Sequence, residues 1–312
     1  MNIGAFSVGG MDTASSRLRS FYLFKLAEEF GLNVIRPHQY REALRCDVVH
    51  IQKILSYRTL IWIVIFRICG IKVIYDIDDH PIGKKMFCGY WTSLLLSTTI
   101  TVDSEARRCY WKKYLFFKKI EVVNDVADSI EYDLAIKARR SAGNSDTFFW
   151  TGYSHNLGSM NVFLEYLRNG KKFRLVVSTE EKAIPYLKTK YPFVKFIPWF
   201  DGVAFDDSIE AKYMILNHDF DQSSLLKSDN KMVLAILAGF VPIVSRTPSY
   251  ENLAKMLNAE YLLFENVQDV IKIRADLSDF DFSTFTNRAN EIVNANYSKR
   301  SVLQKFCSTV LR

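Results

Sequence analysis

The chain has 312 residues, of which 49% are hydrophobic and 24% charged, with a formal net charge of +7. That length suits two domains of ordinary size, and the composition is globular, with no disordered tail or low-complexity tract. The five cysteines (Cys46, Cys69, Cys88, Cys109, Cys307) form no CxxC or Cys/His pattern, so they read as buried thiols in a reducing compartment rather than a disulfide or metal framework.

The opening "MNIGAFSVGG" reads as a strand, 2–8, running into glycines, without the basic start and long apolar run of a signal peptide. "SSRLRSFYLFKLAEEFG" then predicts a helix closed by Gly31. Further strands are predicted at 33–37, 47–52, 72–77, 98–104 and 120–125, with helices over 58–69 and 104–116. The longest apolar segment, "LIWIVIFRICGI" (60–71), is interrupted by Arg67 and falls short of the ~18 residues of a membrane span. A cytoplasmic location follows, with contact at the inner face of a membrane left open.

Between about 128 and 146 the strands pause in a polar, small-rich stretch that reads as a domain end and linker. The rhythm restarts with strands at 147–152, 173–179, 193–199, 211–218, 241–245 and 260–264. Helices fill the gaps at 158–169, 180–190, 228–239 and 248–257, and a terminal helix covers roughly 284–311. Alternating strands and helices without a solenoid repeat predict an α/β protein of two Rossmann-like domains facing a central cleft, where strand carboxyl ends meet a ligand. The boundaries are 1–140 and 146–289, with the C-terminal helix, 290–312, packing back on the first domain.

The positive charge is concentrated in "EARRCYWKKYLFFKK" (105–119), where six Lys and Arg side chains alternate with aromatic ones. Such a segment suits a helix lying on an anionic lipid surface, or else a solvated face over a buried aromatic stripe. No nucleic-acid-binding module is recognisable, so nucleic acid is not an expected partner.

Several of these segments together resemble the GT-B fold glycosyltransferases, and more narrowly the bacterial group that builds surface polysaccharides (lipopolysaccharide, capsule) from nucleotide sugars. "VVNDVAD" (122–128) is similar to the family's "vipNGvD" turn, "NKMVLAILAGFVPIVS" (230–245) to its "lEAmalGlPVvas" helix and strand, and "TVDSEARRC" to its strand-to-helix step. The resemblance implies an acceptor-binding first domain, a donor-binding second domain, a nucleotide sugar and a glycan or undecaprenyl-linked acceptor as partners, and no cofactor or metal. The two glutamates that retaining members carry eight positions apart are matched here by Leu226 and Leu234, which leaves the stereochemical course open.

Sugar transfer needs charge stabilisation at the leaving phosphate, a polar wall for the sugar and, with inversion, a base for the acceptor. "KSDNK" suits the first task, because Lys227, Ser228, Asn230 and Lys231 surround the start of an apolar helix that Ser228 can cap. The alternative is an ordinary capped helix with solvated lysines. In "SVGGMDTASSRLRS", Gly9 and Gly10 permit close backbone approach to an anion, Ser15 or Ser16 can cap the next helix, and Arg17 enters it, with Arg19 as a surface partner. In "YDIDDHP" an Asp-x-Asp would hold a metal in the other large glycosyltransferase fold, GT-A, but that fold lacks two equal α/β halves. Asp79 and Asp78 are therefore candidates for the acceptor base or for sugar binding, with His80 as neighbour or rival and Asp76 as a local backbone cap. Gly152 and His155 in "WTGYSHNLGS" are expected to meet the donor, Asn217, His218 and Asp219 to end a cleft strand, and Tyr250 to cap a helix. A nucleotide-sugar epimerase of the same fold and a non-catalytic binding subunit are the competing readings.

Overall fold

The computed structural model describes residues 1–11, 13–81, 83–127, 147–169, 173–199, 211–218, 221–277 and 281–311. The expected linker, 128–146, and Asp219 lie outside the described residues. The chain forms two compact units: Met1–Ser129 with Leu225–Ser228 and Asn296–Arg312, and Ile130–Ser224 with Asp229–Ala295.

The first unit is built on a parallel sheet of β1 (Asn2–Ser7), β2 (Asn33–Ile35), β3 (Val48–Gln52), β4 (Lys72–Ile77), β5 (Thr99–Val102) and β6 (Ile120–Val122), in the order β2-β1-β3-β4-β5-β6. Alternation along each strand sends side chains to opposite faces. Val49, Ile51, Val73, Tyr75, Ile77, Ile100 and Val102 form one core with the helices that follow β3, β4 and β5. Ile3, Ala5, Val48 and Ile74 form the other, with the first and last helices. Both faces are covered, as an all-parallel sheet requires, and each fully buried aliphatic side chain contributes about 1.5–3 kcal/mol.

α1 is not one regular helix: Ala14–Ser16 leads into a π-helical stretch, Arg17–Tyr22, and then Leu23–Glu29. Thr13 is its N-cap and makes no side-chain capping bond, so the expected cap by Ser15 or Ser16 is not formed. α2 (Tyr57–Ile68) starts on Ser56, whose hydroxyl accepts from the Thr59 amide at 3.1 Å. It ends at Gly70, where φ is 76°. A Cβ there would meet nothing within 4 Å, so the demand for glycine is conformational, not spatial. α3 (Gly83–Leu96) has no counterpart among the predicted helices. Its Gly, Thr, Ser and aromatic content gives little helix propensity, and burial of Tyr90, Ser93 and Leu94 supplies what propensity does not.

α4 (Glu105–Lys112) alters the reading of the basic aromatic segment. Arg107, Tyr110 and Trp111 are buried, and Arg107 pairs with Asp103 at 2.5 Å. Lys112 and Lys118 hold the backbone carbonyls of Lys118 and Ser97. The aromatic stripe of the helix is therefore buried, and the exposed aromatic side chains of the segment are Tyr114, Phe116 and Phe117 beyond it.

The second sheet comprises β7 (Thr147–Thr151), β8 (Arg174–Thr179), β9 (Lys195–Pro198), β10 (Tyr213–Leu216), β11 (Val241–Ser245) and β12 (Leu263–Phe264), all parallel, in the order β12-β11-β10-β7-β8-β9. Its helices are α5 (Asn161–Arg168), α6 (Ile184–Lys190), α7 (Asn230–Leu237), α8 (Pro248–Leu257) and α9 (Val267–Asp276). The terminal helix is broken. α10 (Phe282–Tyr297) stops at Ser298, whose side chain accepts from the Ser301 amide to start α11 (Lys299–Lys305). Val302, Leu303 and Phe306 pack against Leu23, Phe24, Leu26 and Ala27 of α1. Among the described residues no helix is long and apolar enough to cross a membrane.

Candidate functional site

The strand order of each sheet marks where a ligand has room. In an open parallel sheet the crossovers leave on opposite sides at the switch point, and a crevice opens beyond the strand carboxyl ends there. The first sheet switches between β1 and β3, and the second between β7 and β10.

At the first switch point β1 runs into Gly9 and Gly10. A Cβ on Gly9 would run into the Thr13 side chain, so a glycine is required there. The Gly9 amide donates to Ser16 Oγ at 3.2 Å, and Ser16 Oγ lies 3.0 Å from Gln52 Oε1 at the end of β3. Ser16 is thus a buried partner of the loop rather than a helix cap. Gly10 is exposed, its carbonyl accepting from the Thr13 amide at 3.2 Å. Arg17 donates to the Met11 carbonyl at 2.7 Å and so closes the same loop.

Arg19 is no surface residue. Its side chain is 3% exposed and grips Asp76 with two bonds, 2.8 and 2.6 Å long. It also donates to Asp125 Oδ1 at 3.0 Å and to the Val123 carbonyl at 2.9 Å. Asp76 accepts a further bond from Thr101 Oγ1 at 2.6 Å, so it anchors a buried network and does not cap local backbone. Burial alone would raise the Asp76 carboxyl, but the Arg19 guanidinium and the Thr101 hydroxyl outweigh it and hold the group below its ordinary value. Burial pushes Asp125 up to about 7, against the pull of Arg19 and aided by Asp103 and Asp78. The neighbouring His50 imidazole is lowered to about 4 by burial and stays neutral.

Asp78 and Asp79 follow β4 and meet a residue that sequence reasoning missed. Lys53, just past β3, has a left-handed φ of 41°, unusual for a side chain with a Cβ. That conformation brings its ammonium to 3.3 Å from Asp78 and 2.9 Å from Asp79. Burial pushes the Asp78 carboxyl up to about 6, opposed by Lys53 and Arg19 and reinforced by Asp79 and Asp76. Asp79 is the accessible member, 49% exposed. His80 packs edge-on against Tyr110, ring centroids 5.4 Å apart. The structure thus joins Asp78 and Asp79 through a cation supplied by the chain itself.

At the second switch point, Gly152 follows β7 in a position where a Cβ would stand 2.6 Å from the Trp150 ring. Lys231, in the first turn of α7, donates to the Thr151 carbonyl at 3.1 Å and lies over the Trp150 ring at 5.7 Å. Trp199 donates to Thr151 Oγ1 at 3.0 Å and packs edge-on against Tyr153 at 4.9 Å. Glu180, beyond β8, accepts from the Ser154 amide at 2.7 Å and the Ser154 hydroxyl at 3.0 Å. His155 is exposed and stacks on Tyr153.

From β10, the Asn217 amide side chain donates to the Ser159 carbonyl, and His218 Nε2 lies 3.0 Å from the Tyr250 hydroxyl. Tyr250 is therefore a buried partner of His218, not a helix cap; α8 starts at Pro248 with Thr247 as N-cap. The cap expected from Ser228 is also absent, since α7 begins after Asp229 with no side-chain capping bond. The Met232 and Val233 amides of its first turn donate to the Asp229 carbonyl, at 2.8 and 3.0 Å. Asn230 and Lys231 belong to the second unit, whereas Lys227 and Ser228 belong to the first. There Ser104 Oγ and Arg107 both donate to the Leu226 carbonyl, at 2.8 and 3.1 Å.

The chain is similar along its length to several solved structures. The structure of HepE from Anabaena, in complex with UDP and glucose, matches with a TM-score of 0.66 at 11% identity over 99% of each chain. WaaG, a glycosyltransferase involved in lipopolysaccharide biosynthesis, matches with a TM-score of 0.59 at 9% identity over 99% of this chain and 100% of its own. The fold is GT-B. The UDP-GlcNAc 2-epimerase of Neisseria meningitidis, bound to UDP-GlcNAc, shares it with a TM-score of 0.52 at 11% identity over the whole of both chains. No protein-family model and no curated protein matches the chain. One fold thus carries two chemistries, and the reaction has to be read from the side chains.

Proposed function

We propose that the protein transfers a sugar from a nucleotide-sugar donor to a glycan or lipid-linked acceptor. The observation that carries this reading is the end of β7 at the second switch point, where Gly152, Lys231, the start of α7 and the Trp199 ring converge. A diphosphate needs close backbone approach, a cation and the positive end of a helix, and a nucleoside needs aromatic surface. The HepE structure, which contains UDP and glucose, supports a donor of this chemistry in such a fold.

The acceptor hydroxyl oxygen attacks the anomeric carbon, and the bond from that carbon to the diphosphate oxygen breaks. The departing diphosphate keeps the electron pair, balanced by Lys231 and the positive end of the α7 dipole. If the transfer inverts configuration, the Asp78 and Asp79 pair of the first unit is the candidate base for the acceptor hydroxyl proton. A carboxyl held near 6 is a better base than an ordinary one, and Asp79 gives the pair its opening to solvent. The reading is metal-independent, because Lys53 already stands between the two carboxylates where a cation would sit. A role for lipopolysaccharide or capsule synthesis at the inner membrane face belongs to this proposal, supported by the likeness to WaaG.

The test is a thermal-shift panel of UDP, GDP, dTDP, CMP and their common sugars, each with and without EDTA. A donor at 100 times its dissociation constant should stabilise the protein by about 2.7 kcal/mol. One EDTA-insensitive hit that disappears in Lys231→Met supports the proposal; no hit, or an equal shift in the variant, refutes it. The epimerase reading, favoured by the Neisseria likeness, predicts that UDP-GlcNAc changes configuration at C2 with no acceptor present.

A further inference from the structure

α2 buries one side and leaves an equally apolar side in water. Thr59, Ile63 and Phe66 are 0% exposed against the first sheet, whereas Tyr57, Ile61, Val64 and Ile68 are 84, 60, 40 and 80% exposed. Their spacing of four, three and four residues places them in one stripe along the helix. Leu55, at 39% exposure, stands just ahead of it in the chain. A helix apolar on all sides is ordinarily covered all round.

A second exposed group sits in the same layer. Phe116 and Phe117, beyond α4, are 77 and 60% exposed, and Tyr114 is 45% exposed. Arg67, in the last turn of α2, donates to Thr98 Oγ1 at 2.7 Å, and Lys118 donates to the adjacent Ser97 carbonyl at 2.7 Å. The end of α2 and the 113–118 loop therefore meet at one point. Phe87 of α3 stacks on Trp111 at 5.6 Å and meets Tyr114 edge-on at 5.1 Å, tying the three elements together.

The charge of this layer is mostly of one sign, with Glu105 and Glu121 at the ends of its most basic segment. Residues 53–75 contain four Lys or Arg, 84–102 contain two and 106–120 contain six, and none of the three segments contains an Asp or Glu. Lys53 and Arg107 point inward to carboxylates, Arg108 pairs with the half-exposed Glu105, and Lys112 and Lys118 hold backbone carbonyls. Isolated exposed hydrophobic residues need no explanation, but a helix-long stripe beside three exposed aromatic rings in a predominantly basic layer does. Aromatic and aliphatic groups at headgroup depth, flanked by Lys and Arg, fit a bilayer surface with negative charge. Two copies of the same net-positive face would repel one another.

We propose that α2 and the 113–118 loop form a docking face for membranes containing anionic phospholipid. The face does not depend on the sugar-transfer chemistry and would stand if that reading failed. Flotation with phosphatidylcholine vesicles, with and without phosphatidylglycerol, tests it. The intact protein should float with the anionic vesicles, less as salt is raised, and not with neutral ones. The exposed pair Ile61→Glu/Ile68→Glu should lose about tenfold or more of that binding, since both lost apolar contact and added negative charge oppose it. Phe116→Ser/Phe117→Ser, in the loop that meets the end of α2, should weaken it in the same direction. No vesicle binding, equal binding to neutral vesicles, or unchanged binding by both variants overturns the proposal. So does a dimer that Ile61→Glu/Ile68→Glu dissociates, because a second copy would then be the occupant. Circular dichroism confirms that the variants fold, and their nucleotide thermal shifts, expected to be unchanged, separate this test from the test of the second-unit crevice.

Discussion

Replacing Arg19 by methionine removes the cation from the most buried ion pair at the first switch point while roughly keeping the packing volume. The Arg19 and Asp76 side chains are each 3% exposed, so Asp76 would retain only the 2.6 Å bond from Thr101. Breaking a buried pair by removing one partner costs about 3–5 kcal/mol, because the remaining charge has lost both water and its counter-ion. The cost depends on pH. In the intact protein the folded-state pKa of Asp76 is depressed, so its stabilisation is present above the unfolded value and is lost as pH falls through the folded value. In Arg19→Met the sign reverses, because the unpaired buried carboxyl takes a proton more readily folded than unfolded. The variant's deficit therefore grows as pH rises from about 4, the unfolded carboxylate value.

Two units make a single unfolding free energy ill-defined, so the measurement should be local. Hydrogen-exchange protection of the β4 amides, Val73 to Ile77, should fall by about two to three and a half decades at pH 8. After correction for the intrinsic exchange rate, the loss should be smaller at pH 5. Arg19→Met/Asp76→Asn should regain part of the loss, since the orphaned charge is gone. A loss under about 1 kcal/mol at pH 8, or one that is equal at both pH values, would refute the buried-pair account.

Lys53→Met should raise the Asp78 carboxyl beyond about 6, because Lys53 opposes the upward push of burial. The ionised form is already disfavoured on folding, so stability falls as pH rises above the unfolded carboxylate value, and in the variant that fall should extend to higher pH. A carboxyl carbon NMR titration reads the shift, and an unmoved midpoint would remove Lys53 from the pair. Tyr250→Phe deletes the hydroxyl 3.0 Å from His218 Nε2, and burial keeps that hydroxyl protonated throughout the working pH range. The expected loss is about 0.5–1.5 kcal/mol in a thermal melt, with His218 freed to reorient and donor binding weakened. A variant as stable as the parent would mean that the contact contributes nothing.

Much of the candidate site was legible because strand ends are. Asp78, Asp79, Gly152 and Lys231 each lie within a few residues of a strand end or a helix start, and periodicity locates those ends. The partners were not legible. Arg19 reads as one more charge on an amphipathic helix, and nothing local connects it to Asp76, 57 positions away, or to Asp125, 106 positions away. Lys53 could have been suspected from its place just after a strand, but its left-handed backbone and its grip on two carboxylates across the β3–β4 gap could not. Ser228 and Tyr250 were misread for the opposite reason. Each carries a side chain suited to a local task near a helix start, but α7 begins one residue later, after Asp229, and Tyr250 is taken up by its contact with His218.

The sequence by itself determined the alternation of strands and helices and hence two parallel sheets, because side-chain period and turn residues act over a few positions. Tertiary structure alone decided the order of strands in each sheet, and therefore where the switch points fall, since pairing depends on which edges meet. It also decided that α3 is a helix, by burying one side of a sequence with weak propensity. On α2, apolar on both sides, only the packed fold could show which stripe is covered and which is left facing water.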